Sequence, residues 1–234
     1  MRGRLIAVAA ILVLALPGLL LAKGIDLYTL FPNLTLGSDP GAVDYVYVSC
    51  AGITANTLTL QVHVVTDAPI NPDDYLQGID VELEASADQG GVTLDTTTAT
   101  VYNGSAVQVW GDSLVSVNVT TNGGNPSVFP LKVQLGAVEL HSSPTYLGPG
   151  DHIFATLKFN LSSPTNINVA GTCISNCPAT LVTSVANGYT VQVTEKTCGP
   201  AVPTLSEWGL ILFGVILFGS LVWYLRRRPV TAAA

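Results

Sequence analysis

Leu58-Thr59-Leu60-Gln61-Val62-His63-Val64-Val65 and, further on, Ile79-Asp80-Val81-Glu82-Leu83-Glu84-Ala85 alternate apolar and polar side chains with a period of two. A strand sends successive side chains to opposite faces, whereas a helix repeats its apolar positions every three or four residues. The period therefore selects half-buried β-strands. In the first stretch Leu58, Leu60, Val62 and Val64 share one face and His63 lies on the other. In the second, Ile79, Val81 and Leu83 read as buried, and Asp80, Glu82 and Glu84 as a solvated face. The pattern recurs at 106–110, 115–119, 131–140, 153–161 and 189–193. Turn clusters separate these runs, among them Asn71-Pro72-Asp73-Asp74, Asp88-Gln89-Gly90-Gly91, Asn103-Gly104, Gly148-Pro149-Gly150-Asp151 and Asn187-Gly188. No amphipathic helix of useful length interrupts them. Many short strands at this spacing predict an all-β chain, an antiparallel β-sandwich over residues 23–201 that is one domain by length.

Both ends differ from this body. Met1-Arg2-Gly3-Arg4 is a positive n-region, residues 5–16 are continuously apolar, and Leu20-Leu21-Ala22 ends in a small residue, so residues 1–22 read as a secretory signal helix that is removed. At the other end, residues 210–225 carry no charge, with Trp208 on one side and Trp223-Tyr224 on the other. Residues 208–225 predict a transmembrane helix of about 27 Å at about 1.5 Å rise per residue. Arg226, Arg227 and Arg228 would keep its far end in the cytoplasm and the body outside. Residues 230–234 are a short tail.

The stretch Val202-Pro203-Thr204-Leu205-Ser206-Glu207-Trp208-Gly209, the apolar run and the arginine cluster, together residues 202–229, resemble the IPTL-CTERM sorting signal of Gram-negative bacteria. Val202 stands where that family usually has isoleucine. The resemblance implies recognition by an exosortase-like membrane protease, with Pro203 and Thr204 read as substrate, and removal of the tail. It places the protein first as an inner-membrane intermediate held through its C-terminal helix and then at the cell surface or in the medium.

Nine Lys+Arg stand against sixteen Asp+Glu, giving a net charge of −7, and five of the nine lie in the two terminal clusters. Such an acidic body repels phosphate backbones and excludes nucleic acid as a partner. Cys50, Cys173, Cys177 and Cys198 are an even number in an exported chain, which favours disulfides. Of the three pairings, Cys173–Cys177 across a short loop with Cys50–Cys198 is the expected one. Zinc is the rival reading, but the spacing is not that of paired C-x2-C motifs.

Catalytic patterns are sparse. His63, His141 and His152 show no HExxH or other metal spacing, and no G-x-S-x-G elbow occurs, so the chain reads as non-enzymatic with no cofactor and no resident metal. Calcium is the one cation the loops could take, through Asn71, Asp73, Asp74, Asp88 or Asp151. Tyr45, Tyr47, Tyr102 and Trp110 are candidates for a sugar-stacking platform.

A second resemblance covers the body. Residues 59–65 followed by Asp67-Ala68-Pro69, then Gln77-Gly78-Ile79-Asp80-Val81-Glu82-Leu83, and later Gly150-Asp151-His152-Ile153-Phe154-Ala155-Thr156-Leu157, are similar to the strand plan of cohesin-like β-sandwiches. It implies an Ig-like sandwich. The resulting expectation is an exported, surface-sorted binding protein, acting by adhesion or by holding polysaccharide or another surface protein. A secreted hydrolase or carbohydrate-binding module is the alternative. It would require His141 or His152 within hydrogen-bond reach of an Asp and a Ser. An uncleaved single-pass anchored protein is a third reading.

Overall fold

The computed structural model describes residues 27–31, 34–39, 41–67, 75–110, 114–140, 146–174, 178–184, 187–200 and 205–227. The chain divides into two compact units, Met1–Gly199 and Pro200–Ala234. In the first, the elements run α1 (Leu27–Leu30), β1 (Thr35–Leu36), β2 (Tyr45–Ile53), β3 (Thr57–Thr66), β4 (Leu76–Ala87), β5 (Val92–Leu94) and α2 (Thr98–Val101). After a 3-10 turn at Ala106–Trp110 come β6 (Leu114–Val119), a second 3-10 turn at Thr121–Gly124, β7 (Leu131–Val138) and β8 (Gly150–Leu161). β9 (Ile167–Gly171), β10 (Ala179–Thr183), β11 (Asn187–Thr194) and β12 (Lys196–Cys198) complete the body, and α3 (Leu205–Arg227) forms the second unit.

The strands make an open, mainly antiparallel β-sandwich. Sheet A is built on β4, which pairs along its length with β7; its other edge takes β10 over the first half and β9 over the second. β6 extends sheet A beyond β7, and β12 extends it beyond β9. Sheet B has the order β2-β3-β8-β5. β11 joins the two sheets. Residues 188–191 pair antiparallel with β10, and Gln192, Val193 and Thr194 pair parallel with Tyr45, Val46 and Tyr47 of β2. The inward residues of both sheets form one core: Leu58, Leu60, Val62, Leu157 and Phe159 from sheet B meet Ile79, Val81, Leu83, Val133 and Leu135 from sheet A. Burial of these apolar faces is the main force holding the layers together. The turn between β4 and β5 needs glycine at Gly91, whose φ is +79° and whose Cβ would meet Ser162 Oγ at 1.8 Å.

Three expectations are corrected by this architecture. Asp80 and Glu82 are fully buried, not a solvated face. They do point away from the core, as the alternation requires, but that side of sheet A is covered: the loop residue Ile174 donates its N–H to the Glu82 carboxylate, and Gln134 of the neighbouring strand β7 donates through Nε2 to Asp80 Oδ2 at 2.9 Å. Leu27, with Leu30, Phe31 and Leu34, packs over Val138 and Val182 and makes a second small core. Only Glu84 stays partly exposed, with Lys132 Nζ at 3.6 Å. Residues 106–110 are a 3-10 turn, not a strand, because Val107 and Trp110 are the buried pair and their spacing of three fits that geometry.

The third correction concerns the C-terminus. Among the described residues no helix is long and apolar enough to cross a membrane. The expected span at 208–225, the membrane as a partner and the inner-membrane intermediate are withdrawn on this finding. The expected signal helix at 1–22 lies outside the described residues.

Cys50 on β2 and Cys198 on β12 are disulfide-bonded, Cα–Cα 5.8 Å, which ties sheet B to the last strand of sheet A. Cys173 is also disulfide-bonded; Cys177, its expected partner, lies outside the described residues. The Cys50–Cys198 bond closes 148 residues, so its removal frees much unfolded-state entropy. The double variant Cys50→Ala/Cys198→Ala should lose roughly 3–5 kcal/mol of stability, read as a lower urea midpoint. An unchanged midpoint would mean that pairing with β9 alone secures β12.

Candidate functional site

The outward face of sheet B gathers the most chemically organised side chains of the body. β2 presents Tyr45, Tyr47 and Ser49, β3 presents Thr59, Gln61 and His63, and β8 presents Asp151 and Thr156, while the intervening positions fill the core. Register decides who meets whom. Tyr47 lies directly opposite His63 and Ser49 opposite Gln61. On the other side of β3, a bulge at Val62/His63 sets His63 opposite Ile153, so Asp151 becomes its diagonal neighbour. The rings of Tyr47 and His63 stack at 4.4 Å with 16° between their planes.

Four polar groups then close into one network. His63 Nδ1 is 2.9 Å from Asp151 Oδ1, His63 Nε2 is 3.0 Å from Ser49 Oγ, and the Tyr47 hydroxyl donates to Asp151 Oδ2 at 2.7 Å. An ionised carboxylate only accepts, so the proton of neutral His63 sits on Nδ1 and Nε2 offers its lone pair to the Ser49 hydroxyl. The Tyr47 hydroxyl holds the Asp151 carboxyl below the usual carboxylate range; burial opposes this, and the His63 contact adds to it. The His63 side chain is 13% exposed and that of Asp151 52%.

A second polar cluster is buried where β11 changes sheets. The Tyr189 hydroxyl donates to Asp44 Oδ2 at 2.6 Å, Asp67 N donates to Asp44 Oδ1 at 2.9 Å, and Asp44 N donates to Asp39 Oδ2 at 2.6 Å. Burial first, then the contact with Asp44, drives the Tyr189 hydroxyl far above the ordinary tyrosine range. Burial, with Asp44 and Asp67 nearby, raises the Asp39 carboxyl. These bonds join β11 to the segments before β2 and after β3.

The expected site residues scatter. Val202, Pro203 and Thr204 lie outside the described residues, as does Arg228; Leu205, Ser206, Glu207, Trp208, Gly209, Arg226 and Arg227 belong to α3. Of the calcium candidates, Asn71, Asp73 and Asp74 lie outside the described residues. Asp88 accepts from Asn166 Nδ2 at 2.9 Å, and Asp151 is engaged by His63 and Tyr47. Among the described residues no group of three or more His, Cys, Asp and Glu could hold a metal ion. The aromatic platform also divides: Tyr102 and Trp110 are buried, whereas Tyr45 stays 42% exposed beside Tyr47, ring centres 6.1 Å apart. His141 lies outside the described residues and His152 Nε2 bonds to Gly148 O at 2.9 Å. The histidine that does meet an Asp and a Ser is His63. Nothing local to Val48-Ser49-Cys50 marks Ser49 as its partner; only strand register brings the two together.

Contact with Asp151, followed by burial, raises the Tyr47 hydroxyl to about 12. An unfolded chain gives up this proton near pH 10 and the folded one holds it longer. The contact therefore adds stability below about pH 10, and that contribution is lost as the pH rises towards 12. In a phenolate absorbance titration, the difference between wild type and Tyr47→Phe should show a tyrosine ionising near pH 12, returning towards pH 10 in Asp151→Asn. Ionisation near pH 10 in the wild type would refute the hydrogen bond.

Comparison with known proteins gives one sequence match and several structural likenesses. A chain of an interface mutant of a type II cohesin–X-dockerin complex from Acetivibrio cellulolyticus has TM-score 0.41 and 13% identity, covering 65% of this chain and 97% of that one. The second type II cohesin module of the cellulosomal adaptor ScaA scaffoldin of the same organism has TM-score 0.38 and 14% identity, covering 69% and 98%. A type II cohesin domain from its cellulosome has TM-score 0.37 and 10% identity, covering 67% and 95%. The sandwich assignment stands on this chain's own strands and pairing. No curated protein matches the chain. The chain carries an IPTL-CTERM motif over residues 200–228.

Proposed function

We propose that the chain is an exported protein of the bacterial surface, delivered through its IPTL-CTERM tail and acting there by binding a polysaccharide or another surface protein. The observation that carries this reading is where the motif begins. The body completes its last strand, β12, at Cys198, and the motif starts at residue 200. Every strand of the sandwich therefore precedes the tail, and an exosortase-like protease cutting near Pro203 would leave the sheets, the core and the Cys50–Cys198 bond intact. The half-exposed Tyr45 and the hydroxyl-rich face of sheet B supply rigid aromatic and hydrogen-bonding surface of the kind that recognition sites use.

Intact mass of the protein made in its own Gram-negative host tests the proposal. A species starting near Lys23 and ending near Pro203, recovered from the cell surface or the medium, is the expected result. Replacing Pro203 and Thr204 by alanine should leave the unprocessed form. If every fraction contains only chains that keep residues 205–227, the sorting reading fails.

A further inference from the structure

The network on sheet B has a property that binding does not require. In its neutral form His63 donates through Nδ1 to the Asp151 carboxylate and accepts through Nε2 from the Ser49 hydroxyl, contacts of 2.9 and 3.0 Å. This is the order of partners by which a base is oriented, holds the correct tautomer and activates a nucleophile. The three residues come from three adjacent strands, so the sheet itself fixes their spacing. Several features hold the arrangement in place: Tyr47 stacks on the imidazole and donates to the same carboxylate; Cys50, next to Ser49, is bonded to Cys198; and the β2 register shifts between Cys50 and Gly52, turning the strand just beyond the serine. Gln61, opposite Ser49 on the same face, carries an amide within about 5 Å at the Cβ level, close enough to offer an N–H to an oxyanion.

We propose that Ser49, His63 and Asp151 form a nucleophilic serine site that hydrolyses acyl esters, with Gln61 as an oxyanion donor. Ser49 attacks the ester carbonyl carbon while its proton passes to His63 Nε2. The ester C–O bond breaks, and the leaving alkoxide takes that proton from the imidazolium. Water then attacks the acyl-serine, gives a proton to Nε2, and releases the carboxylic acid as Ser49 regains its hydrogen. Asp151 stays ionised throughout and stabilises the imidazolium. Ser49 lies on the broad face of a sheet, so a short acyl group displayed on an extended molecule is the substrate class that fits. The net charge of −7 disfavours a polyanionic carrier.

This inference goes beyond the binding reading and does not depend on how the tail is processed. The full chain is treated with a fluorophosphonate probe, the modified residue is mapped by mass spectrometry, and p-nitrophenyl acetate hydrolysis is followed in parallel. Labelling at Ser49 is expected, abolished in Ser49→Ala and slowed about 100-fold or more in His63→Gln. Asp151 faces water, so Asp151→Asn should slow labelling by about tenfold, less than a buried partner would. Thermal melts establish that each variant is folded; should His63→Gln not fold, the Asp151→Asn comparison decides. No adduct at Ser49 in folded wild type, or equal labelling rates in wild type and the folded variants, overturns the proposal.

Discussion

The sandwich depends on one strand serving two sheets. β11 leaves sheet A by pairing with β10 and enters sheet B beside β2 within eight residues. At the changeover Tyr189 is buried, and its hydroxyl is satisfied by Asp44, one residue before β2, whose carboxylate also takes Asp67 N just after β3. A buried hydroxyl or carboxylate without a partner costs free energy, so each holds the other in place. The contact thereby fixes β11 against both ends of the β2–β3 hairpin. Gly188 lets the segment leading into β1 lie against β11: a Cβ there would meet Leu34 Cδ1 at 2.8 Å. Once β11 is placed, β12 follows onto β9 and Cys198 reaches Cys50, so the disulfide secures a closure that packing and the Tyr189–Asp44 contact define.

Alternation makes the half-buried strands legible. β3 and β4 contain the two stretches whose period of two is plainest, and β6, β7, β8 and β11 fall on further runs of the same kind. Strands covered on both faces are not legible in this way. β10 buries all five residues of Ala-Thr-Leu-Val-Thr, so its polarity alternates with nothing outside it. The same cause misplaces Asp80 and Glu82. Period two gives the face on which a side chain lies, but not whether that face meets water. Here Ile174 bonds to the Glu82 carboxylate and α1 packs over Val138 and Val182 of the same sheet, and those segments are remote in sequence. β2 escapes the pattern because its polar Ser49-Cys50 pair and the bulge beyond break the rhythm.

The site is less legible than the fold, for a related reason. Composition and motif reading find residues that are close in sequence, whereas Ser49, His63 and Asp151 are brought together by strand order and by one bulge. Alternation does place His63 on the outward face. Its partners require the register, and the register is set by β3 lying between β2 and β8. The sorting motif is the opposite case, a contiguous string that no fold requirement explains, and its residues alone suffice to identify it.

The proposed binding and the proposed ester hydrolysis make different demands on the same face, and the electrostatics would let them coexist. Outside the terminal arginine clusters the chain has four lysines and no arginine, and Lys132 is already beside Glu84, so little positive charge faces solvent. A neutral, hydroxyl-rich polymer crosses such a field without the repulsion that an acidic one meets. On sheet B it would encounter the flat exposed ring of Tyr45 and, one and two alternate positions along β2, Tyr47 and Ser49. Outward neighbours on a strand are spaced by about 7 Å, so an extended molecule lying along β2 could rest on Tyr45 while a short side group reaches Ser49. The proposed recognition at the aromatic end of the strand and the proposed reaction at its serine would then follow from the same alternation that builds the core.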